Sequence, residues 1–276
     1  MPSLAKILTP YIVPILVFIS LEWMFASPAS GWIFLIIIFL LVISSLFYII
    51  GFKINKKNLK FLLPSFLFLL AFLSFFSFLI FADFFFRHFF AVIVVVLLSQ
   101  LLKKIFIFFH AKTFKEDYSD FFSYFNILTV FMIFTSLGSA GIFLGVSSWI
   151  LFFLAAVFLL LVFYNNYYIR AFIREQGQGK LRELLDQKID DLIGQQKAQK
   201  DFYILIPALV LIELFWAVSF LPTSFYVNAL ILTVSYYIIS GLIKNRLNNN
   251  LTKQIIQKYA IIASACFLLI IFTARI

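Results

Sequence analysis

The stretch GWIFLIIIFLLVISSLFYIIGFKINKKNLK, residues 31–60, sets the reading of the whole chain. Gly31–Phe52 carries no charged side chain, and Lys53, Lys56, Lys57 and Lys60 follow at once. A helix needs about 20 mostly apolar residues to cross a hydrocarbon core about 30 Å thick. Gly31–Phe52 therefore reads as a membrane span that ends in a basic loop.

The same alternation continues in both directions. Before residue 31 lies an apolar run, Leu4–Phe25, closed by the turn Ala26-Ser27-Pro28-Ala29-Ser30, whose Gly, Pro and Ser neighbours mark a reversal. After residue 60 come Leu59–Ala82 and a fourth run from Asp83, a good N-cap, to Lys103-Lys104. Then follow Phe121–Leu137 and Ile142–Tyr168 around a turn expected at Gly138-Ser139-Ala140-Gly141, Phe202–Leu221 and Phe225–Ile243 around Pro222, and Ile255–Thr273. The expectation is an all-α polytopic membrane bundle of about nine spans, with residues 1–276 forming one transmembrane domain. Composition agrees: 64% of the residues are hydrophobic and 12% charged, against about 25% charged in a soluble domain, and mean hydropathy is +1.07.

Basic residues decide sidedness. Lys6 and the clusters within 53–60, 103–115, 170–200 and 244–258 occupy the N-terminus and every second gap between spans; of the 22 Lys and Arg only Arg87 and Arg275 lie elsewhere. By the positive-inside rule this puts the N-terminus in the cytoplasm and the C-terminus outside, most simply in a bacterial cytoplasmic membrane. The rule also accounts for the net charge of +10 without nucleic acid, and attraction to anionic headgroups makes membrane lipids the expected partners.

Two triplets of spans echo one another. Pro14, Glu22, Trp23, Pro28, Tyr48 and Gly51 before a basic loop are matched by Pro207, Glu213, Trp216, Pro222, Tyr237 and Gly241 before another, and in each copy the Trp lies nine residues after the first Pro. Spans 1–3 and 7–9 thus read as a parallel three-helix repeat of the kind found in some transporters. Biased apolar composition is the competing explanation, and the forty Phe, spread along the spans, reflect that bias better than an aromatic ligand box.

Few residues here could carry chemistry. An ionisable group at membrane depth is costly and calls for a partner or a watered cavity. Glu213, about 16 Å into span seven, and Glu22, in the last turns of span one, are the candidate ligand or coupling residues. Asp83, Arg87 and His88 gather at the start of span four, Asp83 and Arg87 at a spacing that suits an ion pair. Arg87 is a counter-charge for Glu22 or Glu213 if span four packs beside span one or seven; snorkelling to the headgroups is its simpler role. His110 lies near the opposite end, and Cys266 is single, so no metal site of the usual kind and no cofactor is expected. HExxH, GxSxG and GxxxxGK[ST] motifs are missing, which leaves no catalytic residue to name.

Residues 170–201 form the largest loop, expected on the cytoplasmic side. Leu181, Leu184, Leu185, Ile189, Leu192 and Ile193 recur at helical spacing between charged residues, so 179–200 reads as an amphipathic helix. It would lie on the inner leaflet or pair with a protein partner or a second copy.

Three function classes fit. The apparent repeat, Glu213 and the lack of a soluble catalytic domain point to a transporter or permease-like protein. The alternative is a non-catalytic membrane scaffold or assembly protein, and the third is a lipid-modifying membrane enzyme resting on the polar cluster of span four.

Overall fold

The computed structural model describes residues 4–51, 56–79, 84–111, 117–177, 189–221, 223–247 and 250–273. Among them are nine α-helices: α1 Leu4–Ala26, α2 Gly31–Ile50, α3 Lys56–Leu79, α4 Phe84–Ala111, α5 Asp117–Phe143, α6 Ser148–Gly177, α7 Ile189–Ser219, α8 Phe225–Leu247 and α9 Lys253–Thr273. Among the described residues eight of these, α1 to α8, are long and apolar enough to cross a membrane, and α9 occupies the place of the expected ninth span. In lipid only a helix can satisfy its own backbone along such a run, so the apolar segments have no other stable form.

The helices group into two compact units, residues 1–120 and 121–276. In the first, α1 packs against α2 and α4. The α3 helix joins them through aromatic contacts, Phe76 stacked on Phe25 of α1 and Phe75 edge-on to Phe90 of α4. Gly51 closes α2 in the left-handed conformation, φ 77°, which a residue with a Cβ adopts only under strain. Beside it the Lys6 ammonium lies over the Tyr48 ring, 5.7 Å from its centroid, so the start of α1 and the end of α2 meet at one basic end.

Two prolines lie inside α1. Pro14 has no N–H to give the carbonyl of Pro10, one turn earlier, which would leave that oxygen unsatisfied in an apolar setting. Ser99 of α4 supplies the missing donor, its Oγ 2.9 Å from the Pro10 oxygen. Changing Ser99 to Ala is expected to cost about 1 kcal/mol. The loss should shrink when Pro14 is also Ala, since an N–H there restores the bond within α1; thermal unfolding of the single and double variants in one detergent measures the coupling.

In the second unit α6 and α7 pack side by side, α7 continues to α8, and α8 to α9. The α5 helix sits among α6, α7 and α8 through side chains: Asn126 to Asn166, Phe134 to Phe215 and Phe143 to Phe225. The turn expected at Gly138–Gly141 is not there. The α5 helix runs through it to Phe143, and the chain reverses at residues 144–147, where Gly145 takes φ 62°. Gly138 and Gly141 serve close packing instead: a Cβ on Gly138 would stand 2.7 Å from Phe225 Cβ, and one on Gly141 would stand 3.1 Å from Leu151.

A second difference concerns the 179–200 helix. Residues 178–188 lie outside the described residues, but α7 runs unbroken from Ile189 to Ser219. Residues 189–200 are therefore the first turns of the helix that becomes span seven, not a separate helix. At 31 residues α7 is about 46 Å long, well beyond a hydrocarbon core of about 30 Å.

Candidate functional site

Two polar clusters stand out, one in each unit. The first lies at the end of the first unit opposite Lys6, where the last turns of α1 meet the first turns of α4. His88 Nδ1 donates to Glu22 Oε1 at 2.9 Å, with the side chains 27% and 33% exposed. The His88 ring is also edge-on to Phe25 and Phe84. Arg87 is half-buried, its guanidinium 5.7 Å from the centre of the Phe25 ring and its Nε buried with no acceptor.

Span four thus packs beside span one, and it is His88, not Arg87, that takes the Glu22 carboxylate. Consecutive helical residues point about 100° apart, so one of the pair can meet α1 at Glu22 while the other turns to Phe25. Asp83 lies outside the described residues.

Glu213 is placed differently. It is exposed on α7 and has no hydrogen bond or ion pair among the described residues. Glu22 directly precedes Trp23, whereas Glu213 is three residues before Trp216, so the two acids leave their helices in different directions. Trp216 packs against Trp149 and Phe152 of α6. The glycines paired in the apparent repeat also differ in role: Gly51 caps α2, while Gly241 is buried within α8 against the Tyr259 ring of α9.

The second cluster carries no charge in its interior. Asn126 of α5 donates from Nδ2 to Asn166 Oδ1 of α6 at 3.0 Å, and Asn166 Nδ2 donates to the Tyr236 hydroxyl of α8. Asn126, Asn165 and Tyr236 are fully buried and Asn166 nearly so. Asn126 Oδ1 and both amide atoms of Asn165 are buried without a partner. A cleft lined by Phe163, Asn166, Tyr167, Tyr203, Ser240, Ile243 and Leu247 reaches this cluster. It has room for about one water molecule. At its rim Arg246 Nε donates to the Tyr203 hydroxyl at 3.2 Å.

The available signal was the adjacent pair Asn165-Asn166 inside an apolar span, with Asn126 five residues into the preceding one. Amides carry no charge and so escape a search for ionisable groups, yet burying one unpaired costs about 1–3 kcal/mol. His110, at the far end of α4, bonds within its own helix, to the Phe106 carbonyl at 3.1 Å. Among the described residues no group of three or more His, Cys, Asp or Glu is placed to hold a metal ion.

The fold and these two clusters define a polytopic, all-helical membrane protein. Residues 193–273, covering α8, α9 and nearly all of α7, are similar to a family described as a protein of unknown function (DUF5656). Comparison with curated proteins finds no match, and comparison with solved structures finds none. The matched segment coincides with the second triplet of the apparent repeat; it includes Tyr236 but none of the three asparagines.

Proposed function

We propose that the chain is a permease-like protein whose second unit accommodates a small, uncharged polar solute at the asparagine cluster. The observation that carries this reading is Asn165, fully buried with neither amide atom bonded. A polar group that serves only to hold helices together has its partners; an unsatisfied one at membrane depth costs energy unless something polar fills the place. The cleft beside it is lined by the Asn166 amide, the hydroxyls of Tyr167, Tyr203 and Ser240, and the apolar Phe163, Ile243 and Leu247, with no charged side chain, which suits a neutral solute better than an ion. The cleft opens toward the Arg246 end, and on the charge pattern that end faces the cytoplasm, with the N-terminus inside and the C-terminus outside.

Osmotic swelling of vesicles containing the full chain tests this. Water, the size the cleft admits, should enter faster than in protein-free vesicles, and Asn165→Leu should lower the excess at least tenfold while leaving the protein monodisperse. If water, urea and glycerol all cross no faster than through bare lipid, solute passage is ruled out.

The scaffold reading rests on Glu213, an exposed acid about 9 Å from the end of α7, where a neighbouring protein segment with a donor would satisfy it. On that reading Glu213→Leu would abolish co-isolation of a partner without altering the swelling rates.

A further inference from the structure

The first cluster contains, among the described residues, a charge without an opposite one to meet it. Among the described residues Arg87 has no ion pair and its Nε has no acceptor, while Glu22 is taken by His88 at 2.9 Å. The Phe25 ring faces the guanidinium at 5.7 Å, a cation–π contact that does not neutralise it. A buried donor left without an acceptor costs about 1–3 kcal/mol, and more on a charged group. Around it the same turns of α4 display Phe84, Phe85, Phe86 and Phe89, 71%, 71%, 52% and 50% exposed. A fixed cation is thus set at the rim of an apolar, aromatic surface.

We propose that Arg87 anchors a phospholipid, taking the headgroup phosphate while the exposed phenylalanines lie along the acyl chains. The planar guanidinium presents paired N–H donors that match a phosphate's oxygens, and it is more weakly hydrated than an ammonium, so it keeps such a partner at an interface. The phenylalanine collar selects a phosphate that carries acyl chains over free phosphate. The Glu22 carboxylate is hydrogen-bonded to His88 and leaves the guanidinium unoccupied. The site belongs to the first unit alone and stands whether or not the second unit passes a solute.

Native mass spectrometry of the full chain in mild detergent, with added phosphatidylglycerol, phosphatidylcholine or a diacylglycerol of the same chains, reads the site directly. The wild type should retain either phospholipid at least tenfold more than the diacylglycerol. Arg87→Gln should erase that preference and Arg87→Lys, a point charge without the fork, should keep part of it. Equal retention of diacylglycerol and phospholipid by the wild type overturns the proposal, as does an unchanged preference in Arg87→Gln. Displacement of the lipid by millimolar sodium phosphate overturns the lipid as ligand and assigns the site to free phosphate. Should Arg87→Gln fail to fold, Phe25→Leu, which removes the stacking surface, is expected to weaken the preference several-fold, and no change there counts against the site.

Discussion

Replacing Asn166 by Leu is expected to destabilise the protein by about 3 kcal/mol, whereas the same replacement one residue earlier, at Asn165, is expected to change stability by no more than about 1 kcal/mol in either direction. Asn166 is the middle of a chain of three groups: it accepts from Asn126 and donates to Tyr236. Removing it leaves the Asn126 amide with no partner at either atom and takes a donor from the Tyr236 hydroxyl, both fully buried. The stranded Asn126 amide alone costs about 1–3 kcal/mol. Asn165 has no protein partner to strand, so its loss removes unsatisfied atoms, with any crowding by the larger Leu as the opposing effect. Unfolding of the variants in one detergent, followed by tryptophan fluorescence, compares them; equal losses at the two positions would refute the assignment of bonds. Pairing Asn126→Leu with Asn166→Leu should cost clearly less than the sum of the two changes, because the second removes the group that the first left stranded.

Gly138→Ala is the second large expected effect, about 2 kcal/mol of destabilisation. The added Cβ would meet Phe225 Cβ at 2.7 Å, with the Phe225 Cα at 3.7 Å. Those atoms are at or next to the backbone, so relief requires α8 to move relative to α5, and the contact of Phe143 with Phe225 would be lost with it. Gly241→Ala meets the hydroxyl end of Tyr259, which can swing aside by side-chain rotation, and should be the milder change. Thermal unfolding decides; a Gly138→Ala protein as stable as the wild type would mean that α5 and α8 are not in contact there.

Much of the architecture was legible because it depends on quantities that add up along the chain. Span length is a sum over many residues, so single misreadings do not disturb it, and all nine expected spans correspond to helices. The details that were not legible each depend on one contact. Gly138 and Gly141 look like a turn by residue type, yet both are packing glycines; Gly145, which makes the actual turn, was an equally good candidate without the neighbouring helix to decide between them. The partner of Glu22 depends on the rotation of α4 about its own axis; charge alone left open whether Arg87 meets Glu22 or Glu213 or snorkels, and geometry gives Glu22 to His88. Residues 189–200 belong to the span-seven helix because periodicity reports a face, not a break, and nothing in residues 189–202 stops the helix from running on.

The Ser99 bond to Pro10 also bears on how the protein is made. During synthesis α1 leaves the ribosome long before α4, and two of its groups, the Pro10 carbonyl and the Glu22 carboxylate, find their partners only on that later helix. Until α4 is in place both groups lack those partners, so the pair α1 and α4, and not α1 alone or its hairpin with α2, is the smallest unit in which these two polar groups are bonded.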